Sequence, residues 1–138
     1  MERKRHPILA VRAIILNEDN RILILKRTVS SEYGDLWCLP GGKIDFGQTA
    51  TKAISREVKE ETSLICTAVK FLFYLDSLPQ NLDQDHYLTL YFQCRVKGKI
   101  KLNRESSEFT WIVPKQINKY DIAFDNDNAI KKYWEENK

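Results

Sequence analysis

The chain has 138 residues, 43% hydrophobic and 30% charged, with a formal net charge of +3; this is the make-up of one ordinary globular domain, 1–138, and not of a disordered or fibrous chain. No apolar run reaches the ~20 residues that a membrane span needs, so no membrane partner is expected. No long basic stretch interleaved with aromatics occurs either, which sets aside a nucleic-acid polymer.

The start, MERKRH, reads as a solvated arm. The apolar stretch ILAVRAIIL that follows is not expected to be a signal peptide, because Arg12 interrupts it and no small-residue cleavage site comes after. Residues 8–16 and 21–27 are β-branched and aliphatic and are separated by NEDN, which predicts two strands joined by a turn. Residues 28–47 read as a long loop holding Gly34, Pro40, Gly41, Gly42 and Gly47. Loops of that length in a compact domain are usually functional. A helix is predicted from about Gln48 to Thr62, then strands at 65–75 and 86–96. The polar SLPQNLDQD between them joins strand ends and is expected to overhang a site. KGK at 97–99 ends the second of these strands, FTWIV at 109–113 is a further strand closed by Pro114, and the tail from Asp125 carries Ile130, Tyr133 and Trp134 at helical spacing as core contacts. Interleaved strands and helices predict an α/β sandwich with a mixed β-sheet. Cys38, Cys66 and Cys94 are odd in number, widely spaced and unlike a zinc site, so reduced thiols and a cytoplasmic location are expected.

The helix carries the chemistry. At about 100° per residue, Ala50, Ala53, Ile54, Glu57, Glu61 and Leu64 share one face with Glu60 at its edge, while Lys52, Ser55 and Lys59 point away. An ionised carboxylate buried without a partner costs several kcal/mol, and neighbours of like charge repel. A hard divalent cation such as Mg²⁺ answers this, since it takes oxygen ligands and commonly bridges carboxylates to substrate phosphates. The alternative is that Glu57, Glu60 and Glu61 are surface acids paired with Arg56 and Lys59. The preceding LPGGKIDFG argues against it, because a glycine pair leading into a helix suits close backbone approach to a ligand.

Gly42, five residues, Gln48, seven residues, then Arg56-Glu57-Val58-Lys59-Glu60-Glu61-Thr62-Ser63-Leu64 resembles the Nudix box of the MutT-type hydrolases over residues 42–64, at all but two fixed positions. The resemblance implies the Nudix fold, an α/β/α sandwich. It also implies hydrolysis of the diphosphate linkage of a small nucleotide, with Mg²⁺ or Mn²⁺ as cofactor. Glu57 and Glu61 match metal-holding positions, Glu60 an adjacent one, and the carbonyl of Gly41 or Gly42 is a further ligand. Arg56 matches the arginine that orients a glutamate. The departures are Gln48, where the family has an acid, and Ser63, where it has glycine. A neutral Gln48 cannot act as base, which leaves Glu60, Glu105 and Glu108; the last two sit where relatives often supply an acid from a loop. Tyr33, Trp37, Phe46, Tyr74, His86 and Phe92 are candidates for the base slot, while Asp45 and Asp76 stand isolated.

Among substrates, the compact length favours a nucleoside triphosphate, with ADP-ribose or a nucleotide sugar as the alternative on the strength of Pro79. A nucleotide-binding module weakened by Gln48 is the third reading. The family leaves a homodimer open.

Overall fold

In this computed structural model, residues 5–30 and 33–138 are described; Met1–Lys4, most of the expected arm, lie outside them, as do Ser31 and Glu32. The chain runs β1 (Ile8–Ile15), β2 (Ile22–Arg27), β3 (Trp37–Cys38), β4 (Gly41–Lys43), α1 (Ala50–Thr62), β5 (Ile65–Ser77), β6 (Tyr87–Lys97), β7 (Ser106–Ile112), a 3₁₀ helix at Pro114–Lys119, and α2 (Asn126–Glu136).

The strands form two sheets, β4-β1-β6-β5 and β3-β2-β7. In the first, β1 and β6 run parallel while the outer pairs are antiparallel, so the sheet is mixed as predicted. Because NEDN joins β1 to β2, one would expect a hairpin, but each strand belongs to a different sheet. Among the described residues one β-bridge, Leu16 to Ile22 beside that turn, links the ladders of the two sheets, which otherwise meet through their packed side chains.

Strand alternation divides the apolar residues between two cores. Val11, Ala13, Ile15, Leu23 and Leu25 pack with Ala53, Ile54 and Val58 of α1. Ile14, Leu16, Ile22 and Ile24 pack with Ala129, Ile130 and Tyr133 of α2. A helix therefore covers each side of the strand layer, which is the expected α/β/α sandwich. Ile130 and Tyr133 are core residues and Trp134 packs against them, as their spacing predicted.

The predicted loop at 28–47 is a correction: it contains β3 and β4. The short β3 docks on β2 and β4 docks on β1. Such non-local pairings leave no local period to read. Among the described residues no helix is long and apolar enough to cross a membrane. All three cysteines are free thiols.

Candidate functional site

Helix α1 begins where Thr49 takes extended backbone and its hydroxyl accepts a hydrogen bond from the Lys52 N–H at 3.2 Å. This cap fixes the phase of the helix and hence which acids point inward. The helix ends at Ser63 in the left-handed region (φ 67°), whose N–H donates to the Lys59 carbonyl. The resemblance had implied a glycine there, and Ser63 does adopt the backbone that favours one.

Two of the three acids face inward. Glu61 is only 5% exposed, and Glu57 has a mostly buried side chain. The Gly41 N–H donates to Glu61 Oε2 at 3.0 Å. Burial pushes the Glu61 carboxyl well above the usual carboxylate range; Arg12 draws it back, while Glu57, by charge and by hydrogen bond, and Glu105 push it further up. Gly42 lies directly over Glu57: a Cβ there would come within 2.6 Å of Oε1. The second glycine thus lets the backbone pass close to a carboxylate that a larger residue would have to displace.

Glu60 lies elsewhere. It is exposed on the flank of the helix and accepts a hydrogen bond from Arg56 at 3.0 Å. Arg56 also meets Glu57 at 3.1 Å, Asp45 at 3.3 Å and the Gln48 amide oxygen at 3.3 Å. Desolvation lowers the pKa of Arg56, but the Glu60 hydrogen bond and the charges of Glu57, Glu60 and Asp45 outweigh it, so the guanidinium is held charged. Asp45 is not isolated, since it closes this network.

Glu57, Glu61, Gly41, Gly42, Arg56 and Glu105 all line one open cleft of about 770 Å³. The segment 78–85 does overhang it, contributing Leu78, Gln80, Asp83, Gln84 and Asp85. That segment is held down by Arg5, which donates to the carbonyls of Leu82 and Gln84 at 2.6 and 2.7 Å. Glu108 is not brought in: it pairs with Lys26 at 3.3 Å on the exposed surface of β7. Of the aromatic candidates only Tyr33 lines the cleft. Trp37 stacks edge-on to Tyr120, Phe92 is core, Phe46 and Tyr74 are exposed elsewhere, and His86 pairs with Asp76 at 3.5 Å.

Three cleft residues escaped the sequence reading. Arg12 and Arg27 hold their guanidinium carbons 4.7 and 5.2 Å from the ring centre of Phe124, and Tyr33 meets that ring edge-on at 4.9 Å. Behind it Asn126, fully buried, accepts from the Leu39 N–H at 2.8 Å and donates to Tyr91 Oη at 3.2 Å and to the Phe124 carbonyl at 3.1 Å. An arginine within the apolar stretch of β1 was the available signal for Arg12. No local pattern marks Phe124.

Among the described residues, no three His, Cys, Asp or Glu side chains converge as a metal cage. The inward pair is still a fit for a hard divalent ion: Glu61 is buried with its charge opposed, the ligating atoms at hand are carboxylate oxygens, and glycine leaves room over Glu57. Mg²⁺ commonly uses one or two carboxylates and completes its shell with water and phosphate.

A family model, NUDIX domain, matches residues 6–133. The chain is 35% identical over 129 residues to an ADP-ribose pyrophosphatase from Methanocaldococcus jannaschii, covering 93% of this chain and 73% of that one. It is 30% identical over 105 residues to an 8-oxo-dGTP diphosphatase from Proteus vulgaris, covering 76% and 88%. In fold it is similar to the crystal structure of a MutT protein from Methanosarcina mazei Go1, with a TM-score of 0.85 at 24% identity over 99% of both chains. With the acid pair, the glycine pair and the clasping arginine in one cleft, these matches show that the chain belongs to the Nudix family of hydrolases, enzymes of nucleotide diphosphate linkages.

Proposed function

We propose that the chain cleaves the diphosphate bridge of a small nucleotide with the help of Mg²⁺ or Mn²⁺ held by Glu57 and Glu61. The observation that carries this is the buried acid pair under Gly42, whose charges oppose one another and of which Glu61 has no cationic side chain within ion-pair distance among the described residues. Such an ion supplies charge neutralisation at the attacked phosphate and a more acidic bound water. The protein's own residues do the rest. Arg56, tied to Glu60, Gln48 and Asp45, fixes Glu57 in place. Gln48 accepts the hydrogen bond that an acid would accept there, so the clasp survives the substitution. Glu105, on the cleft wall, is the group able to accept a proton from the attacking water.

The substrate is a nucleoside diphosphate carrying a second hydroxyl-rich group, ADP-ribose or a nucleotide sugar. Support comes from the polar lining that Ser77, Gln80, Asp83, Gln84, Asp85 and Asp125 add to the cleft, a setting that suits sugar hydroxyls. The relative named an ADP-ribose pyrophosphatase, which aligns over 93% of the chain, points the same way. A nucleoside triphosphate is the second reading, supported by the relative named an 8-oxo-dGTP diphosphatase.

Incubation with ADP-ribose, a nucleotide sugar and nucleoside triphosphates in Mg²⁺ is expected to release two monophosphates from the first two. Release of pyrophosphate from triphosphates alone would replace the first reading by the second. No product from any of them, in either metal, would overturn both.

A further inference from the structure

Arg12 sits where a charge should not: in mid-strand, 9% exposed, between the fully buried Val11 and Ala13. Burying a guanidinium is costly unless its donors are used. Among the described residues no carboxylate stands within ion-pair distance of it. One N–H₂ group donates to the Leu39 carbonyl at 2.8 Å, and the flat face lies 4.7 Å from the centre of the Phe124 ring. A guanidinium has five N–H donors, and those that remain line the cleft.

The local backbone is arranged around this side chain. Arg12 pairs with Gly41 across β1 and β4, and a Cβ on Gly41 would come within 2.7 Å of the Arg12 Cδ and collide with the Val11 carbonyl. The first glycine of the pair therefore gives Arg12 its path into the cleft, as the second gives Glu57 its own. Arg27 adds a second cation at 5.2 Å from the same ring. The cleft is thus polarised, with paired carboxylates under Gly42 and paired guanidiniums around Phe124.

We propose that Arg12 is a phosphate anchor: its free donors take non-bridging oxygens of the diphosphate and hold it against the Glu57–Glu61 pair. This rests on the diphosphatase reading above. A planar fork suits two such oxygens at once, which an ammonium does not. Phe124 keeps the fork flat, and Leu39 fixes its tilt.

The test measures binding of α,β-methylene-ADP in Mg²⁺ by calorimetry, alongside uptake of Mn²⁺ alone, for wild type, Arg12→Gln and Arg12→Lys. Loss of the charge-assisted bonds is expected to weaken the analogue about tenfold or more in Arg12→Gln. Arg12→Lys recovers only part of this, and because it keeps the charge that faces Glu61, its Mn²⁺ uptake stays within about twofold of wild type. Should Arg12→Gln fail to fold, Arg12→Lys decides, because it keeps stem and charge and loses only the fork. Wild-type affinity for the analogue in a folded variant overturns the proposal. So does a fall in Mn²⁺ uptake in Arg12→Lys that matches its fall in analogue binding, since Arg12 would then act only by positioning Glu61. If wild type neither binds the analogue nor cleaves any nucleotide, the underlying reading fails instead; if it cleaves and the variants bind unchanged, only the anchor fails.

Discussion

At Glu61, burial raises the folded-state pKa above that of the unfolded chain. A group shifted in this direction lends stability at low pH and withdraws it as the pH climbs from the ordinary carboxylate value of about 4 through the raised one. The metal-free protein is therefore expected to lose stability over that range. Glu61→Gln, whose amide oxygen can still accept from the Gly41 N–H, should flatten the decline and melt higher than wild type near neutral pH. Added Mg²⁺ should raise the melting temperature of wild type and not of the variant. Thermal melts from about pH 4 to 8, with and without Mg²⁺, check this, and coincident curves for the two proteins would refute it. The inward direction of Glu57 and Glu61 was legible in the sequence because the helical period fixes it once the cap is known. Glu60 was not, since a residue at the edge of an arc goes where its neighbours draw it, and Arg56, anchored by Gln48 and Asp45, draws it outward. Arg12 could be seen as an oddity but not as a site residue. Alternation tells which face it takes, not which end of that face lies open.

At the level of elements, the ends of α1 and the approach to β7 carry separate expectations. Ser63 holds a left-handed conformation that costs a non-glycine residue about 1 kcal/mol, partly offset by its hydroxyl, which donates to the Lys101 carbonyl at 2.9 Å. Ser63→Ala keeps the strain and loses the bond; Ser63→Gly loses both. The glycine variant should exceed the alanine variant in stability by about 1 kcal/mol in urea titrations, without change in metal dependence. For the loop before β7, NRESSEFTW could not reveal which acid turns inward. The register decides it: β2 and β7 slip between Lys26 and Arg27, so Ser106 stands opposite Arg27 while Glu108 faces Lys26. Glu105 is left on the cleft side. Glu105→Gln is expected to lower turnover by about 100-fold with metal saturating, and Glu108→Gln to leave it near wild type. Equal effects in steady-state assays would mean that the register does not select the acid. The elements β3 and β4 were invisible beforehand for a related reason, because two- and three-residue strands exist only by pairing with distant partners.

The architecture as a whole followed from interleaved strand and helix patterns, yet its division into two sheets did not, since no residue of NEDN says whether β1 and β2 will pair. What joins the parts is Asn126. It links α2 to Tyr91 on β6 and to the Leu39 amide just before the glycine pair. Asn126→Ala would leave the Leu39 N–H buried and unpaired, which costs about 1–3 kcal/mol beyond the bonds themselves. A fall of several degrees in melting temperature is expected, together with weaker binding of nucleotide, because the glycine pair loses its support. A variant as stable as wild type would show that the linkage is dispensable.

The lone bridge between Leu16 and Ile22 has a last consequence. Among the described residues the ladders meet only beside that turn; toward the cleft the sheets are spanned instead by the short link from β3 to β4, where the Pro40 carbonyl accepts from the Ala13 N–H at 2.8 Å and the Leu39 carbonyl from Arg12. A ligand gripped by both arginines would add one more stitch to that seam, so part of the energy of holding the two halves together would arrive with the substrate.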